Sequence, residues 1–104
     1  RLGASWESFA LEETLAVLDK STKEVFFWAT HSGAEVDLVY QSKGALRGVE
    51  FKYCDAPVLT KSMRSAMESL DLQQLTVVYP GRESYRLNEK AKVVPVTQLK
   101  NELI

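Results

Sequence analysis

Residues 33–53 read GAEVDLVYQSKGALRGVEFKY, and their apolar and charged side chains alternate with the period of a β-hairpin. Lys43 and Gly44 supply the turn. With a two-residue loop there, Asp37 lies opposite Glu50, with Cβ atoms about 5 Å apart. Lys52 then projects from the same face, two residues further along its strand. The hairpin therefore predicts two facing carboxylates with a lysine beside them.

The register of this hairpin depends on the length of its loop. A three-residue loop, Ser42–Gly44, would place Val36 rather than Asp37 opposite Glu50. We favour the two-residue loop because it keeps the charged residues of both strands on one face. Facing carboxylates repel and destabilise a sheet, unless a cation lies between them. The favoured register therefore indicates a divalent-metal site that uses Asp37 and Glu50, with Lys52 beside it.

Composition favours one small globular domain over residues 1–104, since the chain is 45% hydrophobic. A formal net charge of −1 gives no general basic surface, which argues against strong non-specific nucleic-acid binding by this chain alone. The single cysteine, Cys54, suits a reducing cytoplasm. No apolar run is long enough to span a membrane, and no signal-peptide pattern is present. The first residue is Arg1 rather than Met, so we expect a fragment of a longer protein.

Residues 5–19 predict a helix that Ser5 caps. Glu7 falls within the apolar arc of this helix, whereas Glu12 and Asp19 fall outside it. A carboxylate that faces a core must be paired, hydrogen-bonded or metal-bound, which makes Glu7 a possible metal ligand. The alternative is that Glu7 reaches solvent or caps the first turn. The apolar arc comprises Trp6, Ala10, Leu11, Leu15, Val17 and Leu18.

Residues 23–30, KEVFFWAT, predict a strand with large apolar side chains on both faces, so we expect it to be covered on both. A turn through His31 connects it to the hairpin. His31 is the only histidine. It either serves chemistry near the acids or is simply solvated.

A helix is predicted from about Thr60 to Leu70. Lys61 and Arg64 fall away from its apolar face. They either meet the phosphate backbone of a nucleic acid that approaches the hairpin or only solubilise a surface helix. The residues expected to be buried are Met63, Ala66, Met67 and Leu70.

The rest of the chain predicts short strands at 75–79, 84–87 and 92–96, followed by a short helix that Thr97 caps. The element order is therefore α-β-β-β-α-β with a β-β-α tail. The strand–helix–strand crossover after the hairpin predicts an α/β fold, a mixed sheet with helices on its faces.

An acid in the first helix, then Asp37, then Glu50–Lys52 resembles the PD-(D/E)XK nuclease superfamily, although Val36 replaces that superfamily's proline. The resemblance implies a restriction-endonuclease-like fold with an α-β-β-β-α-β core. It also implies that Asp37, Glu50, the Phe51 backbone carbonyl and Glu7 bind Mg²⁺ or Mn²⁺. Lys52 would then position or activate the water that attacks a phosphodiester.

Three motifs resemble more closely a domain of unknown function at the C-terminal end of bacterial and archaeal AAA-type ATPases. They are Gly-x-x-x-Glu at 3–7, Gly-x-Glu-Val-Asp at 33–37 and Glu-x-Lys-Tyr at 50–53. This resemblance implies an N-terminal ATPase outside the present chain, because no Gly-rich loop ending in Gly-Lys-Ser/Thr occurs here.

Three functions stay open at this stage. The first is a metal-dependent nuclease that acts on DNA through Asp37, Glu50 and Lys52. The second is a non-catalytic binding or regulatory module of an ATPase, in which Lys52 pairs with the acids. The third treats the cluster as ordinary surface charge, and Glu7 within the apolar arc argues against it.

Overall fold

The computed structural model describes residues 2–18 and 24–103, which form a mixed sheet of six strands with helices packed on both faces. The α/β class and the predicted element order are confirmed. The elements are α1 (Leu2–Leu18), β1 (Val25–Ala29), β2 (Glu35–Ser42), β3 (Ala45–Phe51), α2 (Lys61–Leu70), β4 (Gln74–Tyr79), β5 (Tyr85–Arg86), β6 (Ala91–Pro95) and α3 (Leu99–Glu102), with a 3-10 turn at Val96–Gln98 before α3.

The strands lie in the order β1-β2-β3-β4-β6-β5. The pairs β1/β2, β2/β3 and β5/β6 are antiparallel, whereas β3/β4 and β4/β6 are parallel. Because parallel neighbours need a long crossover, α2 lies between β3 and β4 in the chain and packs on one face of the sheet. The hairpin strand β3 is consequently central, with a neighbour on each side.

The hairpin turn has two residues. Lys43 and Gly44 both adopt the left-handed conformation, with φ of 54° and 77°. Such a turn matches the twist of the flanking strands. The ladder runs from Ser42 opposite Ala45 to Leu38 opposite Val49. The register favoured from the sequence is therefore confirmed, and the three-residue loop is wrong.

Two apolar clusters cover the sheet, one on each face. On the α2 face, Met63 and Ala66 of the helix are buried, as predicted, and pack with Val77 and Val93 of the sheet. The α1 face is covered by both α1 and α3. Its buried members are Ala10, Leu18, Leu38, Tyr40, Val49, Phe51, Val78, Leu99 and Leu103.

The expectation that the strand at 23–30 is covered on both faces is wrong for its described part. Val25, Phe26 and Phe27 are exposed, and Phe27 keeps 61% of its surface. The reason is its place at the edge of the sheet, where β2 is the neighbour on one side. An apolar run predicts a strand but not its position in the strand order.

Two predicted helix caps are also wrong. The first helix begins at Leu2, so Ser5 lies inside it, while Asp19 lies outside the described residues. Thr97 lies within the 3-10 turn, where no side-chain cap is formed. None of the helices in the described part of the chain combines the length and apolar character that crossing a bilayer requires.

The start of α2 agrees with its prediction. The Thr60 hydroxyl accepts a hydrogen bond from the Met63 backbone N–H at 3.1 Å, and Thr60 itself is extended. At the other end, Asp71 closes the helix in the left-handed conformation. The crossover helix therefore has a defined length between β3 and β4.

Thr60→Ala should lower the free energy of unfolding by about 1 kcal/mol, because it leaves one N–H of the first turn without its acceptor. Urea denaturation of wild type, Thr60→Ala and Thr60→Ser measures the effect. Thr60→Ser keeps the hydroxyl and should stay close to wild type. Equal loss in both variants would assign the effect to packing of the methyl group instead.

Candidate functional site

A β-bulge in β2 places Asp37. Phe26 pairs with Val39, but Trp28 pairs with Val36, so two residues, Asp37 and Leu38, lie opposite Phe27. Bulges of this kind redirect side chains at sheet edges and active sites. Val36 consequently packs on the α2 face, whereas Leu38 packs on the α1 face. The signal in the sequence was apolar Val39, which interrupts the alternation after Glu35 and Asp37.

Hydrogen bonds tie the two acids to each other's strands. The Asp37 backbone N–H donates to Glu50 Oε1 at 3.1 Å. The Phe51 backbone N–H donates to Asp37 Oδ2 at 2.8 Å. Each carboxylate thus replaces a backbone acceptor where the β2–β3 ladder ends. This arrangement confirms that Asp37 and Glu50 lie across from each other, and it holds the Phe51 backbone against Asp37.

Lys52 completes the group of three. Its Nζ lies 3.6 Å from Glu50 Oε2. The Lys52 side chain is 40% exposed, whereas the side chain of Glu50 is 8% exposed. The Lys52 backbone N–H still donates to the Val78 carbonyl, at 2.9 Å. The ammonium therefore extends from an anchored backbone toward solvent, beside a buried acid.

Burial is the main cause that raises the pKa of Glu50, from 4.5 to about 8, and the charge of Asp37 adds to it. A hydrogen bond to the Asp37 side chain acts in the same direction. The charge of Lys52 and the Asp37 backbone N–H lower the pKa but do not offset burial. At 3.6 Å, Lys52 is within ion-pair distance, yet it is too exposed to keep Glu50 ionised at neutral pH. Glu50 therefore keeps its proton at neutral pH in the metal-free protein.

A pocket of about 280 Å³ lies between Asp37 and α1. Asp37 and Phe51 form one side of it. Glu7 is exposed and lines the opposite side, so it reaches solvent and faces the pocket at once. In residues 2–18 and 24–103, no three His, Cys, Asp or Glu side chains are close enough to bind one metal ion. The α1 residues that line the pocket are Ala4, Glu7, Ser8 and Leu11.

The other predicted residues do not gather around Asp37. His31 is exposed in the turn between β1 and β2, and Lys61 is exposed at the start of α2. Arg64 lines a different cavity, of about 480 Å³, together with Lys90 from the turn before β6. The positions of Lys61 and Arg64 therefore do not support the possibility that they contact a phosphate backbone at the acids.

An aromatic pair beside the site was missed by the sequence reasoning. The rings of Trp6 and Tyr53 lie 5.7 Å apart and are tilted by 38°. Tyr53 directly follows Lys52 and is 46% exposed. The only sequence signal for Tyr53 was that it is the last residue of the Glu-x-Lys-Tyr motif.

A family model described as a domain of unknown function, DUF4143, matches residues 2–99. An uncharacterised protein of Mycobacterium bovis is 38% identical over 99 residues, as is one of Mycobacterium tuberculosis. Each match covers 95% of this chain but 22% of the relative, so the chain spans about a fifth of the length of these relatives. No solved structure matches the chain.

Proposed function

This chain belongs to the DUF4143 family, and we propose that it is a Mg²⁺- or Mn²⁺-dependent phosphodiesterase domain that cleaves DNA. The observation that carries this proposal is the pair of hydrogen-bonded acids, Asp37 and Glu50, with the Lys52 ammonium 3.6 Å from Glu50. Two acids held together, beside a partly exposed cation and an open pocket, match the requirements of phosphodiester hydrolysis.

The donors fit a hard divalent cation. Asp37 and Glu50 supply carboxylate oxygens, the ligands that Mg²⁺ prefers. Burial and the charge of Asp37 make Glu50 retain a proton, and a cation would take the place of that proton beside the two acids. Asp37 and Glu50 would hold the metal. The Phe51 carbonyl stays a predicted further ligand. Glu7, a possible ligand in the sequence prediction, does not form a group of three with the two acids.

When bound, the metal would lower the pKa of a water molecule and stabilise negative charge on the phosphate. The side chains around the metal would orient the water and the substrate. The Phe51 N–H holds Asp37 Oδ2, which fixes the orientation of the Asp37 carboxylate. Lys52 would orient the attacking water or balance the charge that develops on the phosphate. Glu7 would face the substrate from α1.

We further propose that the fold is restriction-endonuclease-like and that an N-terminal AAA-type ATPase accompanies the domain. The mixed sheet, with the acids on adjacent strands and a crossover helix after them, supports the first part. The motifs at 3–7, 33–37 and 50–53 support the proposed N-terminal ATPase. The relatives are long enough to hold an additional domain, since the match covers 22% of each.

The Lys52–Glu50 contact favours a second candidate, a binding or regulatory module without catalysis. Lys52 would then serve as the permanent partner of the acids, and the net charge of −1 would reflect a protein rather than a nucleic-acid partner. The two candidates differ in metal binding. A lysine-satisfied cluster gains no stability from Mn²⁺, whereas a metal site does.

Mn²⁺ should raise the melting temperature of wild type. A ligand at 100 times its Kd adds about 2.7 kcal/mol, which is a rise of roughly 10 °C for a domain of this size. Thermal melts with Mn²⁺ and with EDTA measure it. Asp37→Asn should lose the rise, because it removes a charged ligand.

The matched control is Asp71→Asn, since Asp71 is an exposed acid at the end of α2 and asparagine tolerates its left-handed backbone. This variant should keep the wild-type response to Mn²⁺. A rise that survives in Asp37→Asn would place the metal elsewhere. No rise in wild type would favour the binding module.

A further inference from the structure

The rings of Trp6 and Tyr53 lie together at the protein surface, with Trp6 half-buried and Tyr53 exposed. Trp6 is half-buried and packs against the α1-face cluster. The Tyr53 ring lies against the first turn of α1, where a Cβ at Gly3 would be 3.7 Å from Tyr53 Cδ2. With 46% of Tyr53 exposed, part of its ring is free. The pair is a supported aromatic surface rather than a mobile side chain.

This surface borders the pocket that contains Asp37. The first turns of α1 border both the aromatic pair and the pocket: Gly3 and Trp6 lie beside Tyr53, while Ala4 and Glu7 line the pocket. Tyr53 directly follows Lys52, just after β3 ends at Phe51. The loop that follows is tied down by the Tyr85 hydroxyl, which donates to the Pro57 carbonyl at 2.7 Å. A group bound on Tyr53 would therefore lie beside the first turns of α1, which also line the pocket at Asp37.

The chemistry of an exposed aromatic ring limits which nucleic acids such a surface can bind. Exposed aromatic rings stack on nucleobases of any sequence. Bases inside a duplex are already covered by their neighbours, so only single strands or unpaired ends present a free base face. Duplex binding depends mainly on phosphate contacts from a basic surface, and a net charge of −1 does not provide one.

Building on the proposed function, we propose that Trp6 and Tyr53 form a stacking platform for an unpaired nucleobase, so that the substrate is single-stranded DNA or a single-stranded end. Tyr53 supplies the contact surface and Trp6 supports it. The protein then binds the DNA strand by stacking on a base rather than through a basic surface that contacts phosphates. Its adjacent phosphodiester lies toward Asp37, Glu50 and Lys52.

Fluorescence anisotropy with a labelled oligo-dT of about 12 nucleotides tests the platform, with Ca²⁺ in place of Mn²⁺. Wild type and Tyr53→Phe should bind equally, because phenylalanine keeps the ring. Tyr53→Leu and Tyr53→Ala should bind about tenfold more weakly, in line with the contribution of one stacked base. Leucine retains apolar packing on α1, so it separates stacking from a loss of local structure.

Two control ligands isolate the base. An abasic oligonucleotide of the same length has the same phosphates, and all four proteins should bind it equally weakly. A hairpin duplex should bind more weakly than oligo-dT. Equal affinity of wild type and Tyr53→Ala for oligo-dT would overturn the platform. So would the same loss on the abasic strand, tighter binding of the duplex, or no binding of any oligonucleotide.

Cleavage assays with Mn²⁺ separate this inference from the proposed function. Cleavage of duplex DNA that is unchanged in Tyr53→Ala would overturn the platform and leave the phosphodiesterase standing. Tyr53-dependent binding of oligo-dT without cleavage of any strand would uphold the platform and overturn catalysis. Single-strand cleavage that Tyr53→Ala weakens through KM, at an unchanged kcat, would support both.

Discussion

Asp37→Asn should reduce the rate of Mn²⁺-dependent cleavage by roughly 10²- to 10³-fold, the usual effect of removing one preorganised electrostatic contact. Asparagine keeps an oxygen that accepts the Phe51 N–H, so the 2.8 Å hydrogen bond that ends the β2–β3 ladder can persist. The variant loses the charge rather than the fold. Single-turnover cleavage of labelled single-stranded and duplex oligonucleotides measures the effect.

Lys52→Ala separates metal binding from catalysis. Lys52 is not a metal ligand in the proposed site, so this variant should keep the Mn²⁺-induced rise in melting temperature and lose cleavage. Asp71→Asn, remote from the site, should cleave as wild type does. Wild-type cleavage by Asp37→Asn would remove that acid from the mechanism. Wild-type cleavage by Lys52→Ala would do the same for the lysine.

Metal-free protein should lose stability as pH rises from about 4.5 to about 8, through Glu50. The folded state keeps the Glu50 proton up to the higher pH, whereas the unfolded chain releases it near the lower one. In this window the native state binds more protons, so unfolding becomes easier as pH increases. A raised pKa of this size corresponds to on the order of 5 kcal/mol, a large fraction of the stability of a small domain.

Glu50→Gln should remove this pH dependence, because glutamine does not ionise. Its carbonyl can still accept the Asp37 N–H, and its amide can donate to the Asp37 carboxylate. Urea denaturation in EDTA at about pH 5 and pH 8.5 measures the difference between variant and wild type. The variant should match wild type at the lower pH and exceed it at the higher one.

Glu13→Gln provides the comparison for Glu50→Gln, since Glu13 is an exposed glutamate on α1. It should retain the wild-type pH dependence. Parallel pH curves for Glu50→Gln and wild type would show that Glu50 ionises normally in the folded protein. The raised pKa of Glu50 would then be wrong.

Local patterns were sufficient for the hairpin and for the facing acids. Alternation with period two, and a Lys43–Gly44 turn that tolerates positive φ, specify a register in which a slip of one residue would invert every side chain. Asp37 and Glu50 therefore follow from residues close in sequence. The crossover helix is equally local, because Thr60 and an apolar stripe set its start and its buried face.

Long-range packing determined the strand order and the position of the β-bulge, which local sequence patterns do not specify. The strand with Phe26 and Phe27 lies at the sheet edge because strand order depends on contacts distant in sequence. The bulge that directs Asp37 toward α1 arises between two strands, so neither strand shows it alone.

By itself, the sequence determined which elements form, the hairpin register and the pairing of Asp37 with Glu50, since each depends on neighbouring residues. Only the tertiary structure decided how deeply Glu50 is buried, because β4 and the apolar clusters exclude water from it. The same packing brings Trp6 against Tyr53 across 47 residue positions of the chain. Burial and proximity are properties of the assembled fold, and they set the protonation of Glu50 and the aromatic surface formed by Trp6 and Tyr53.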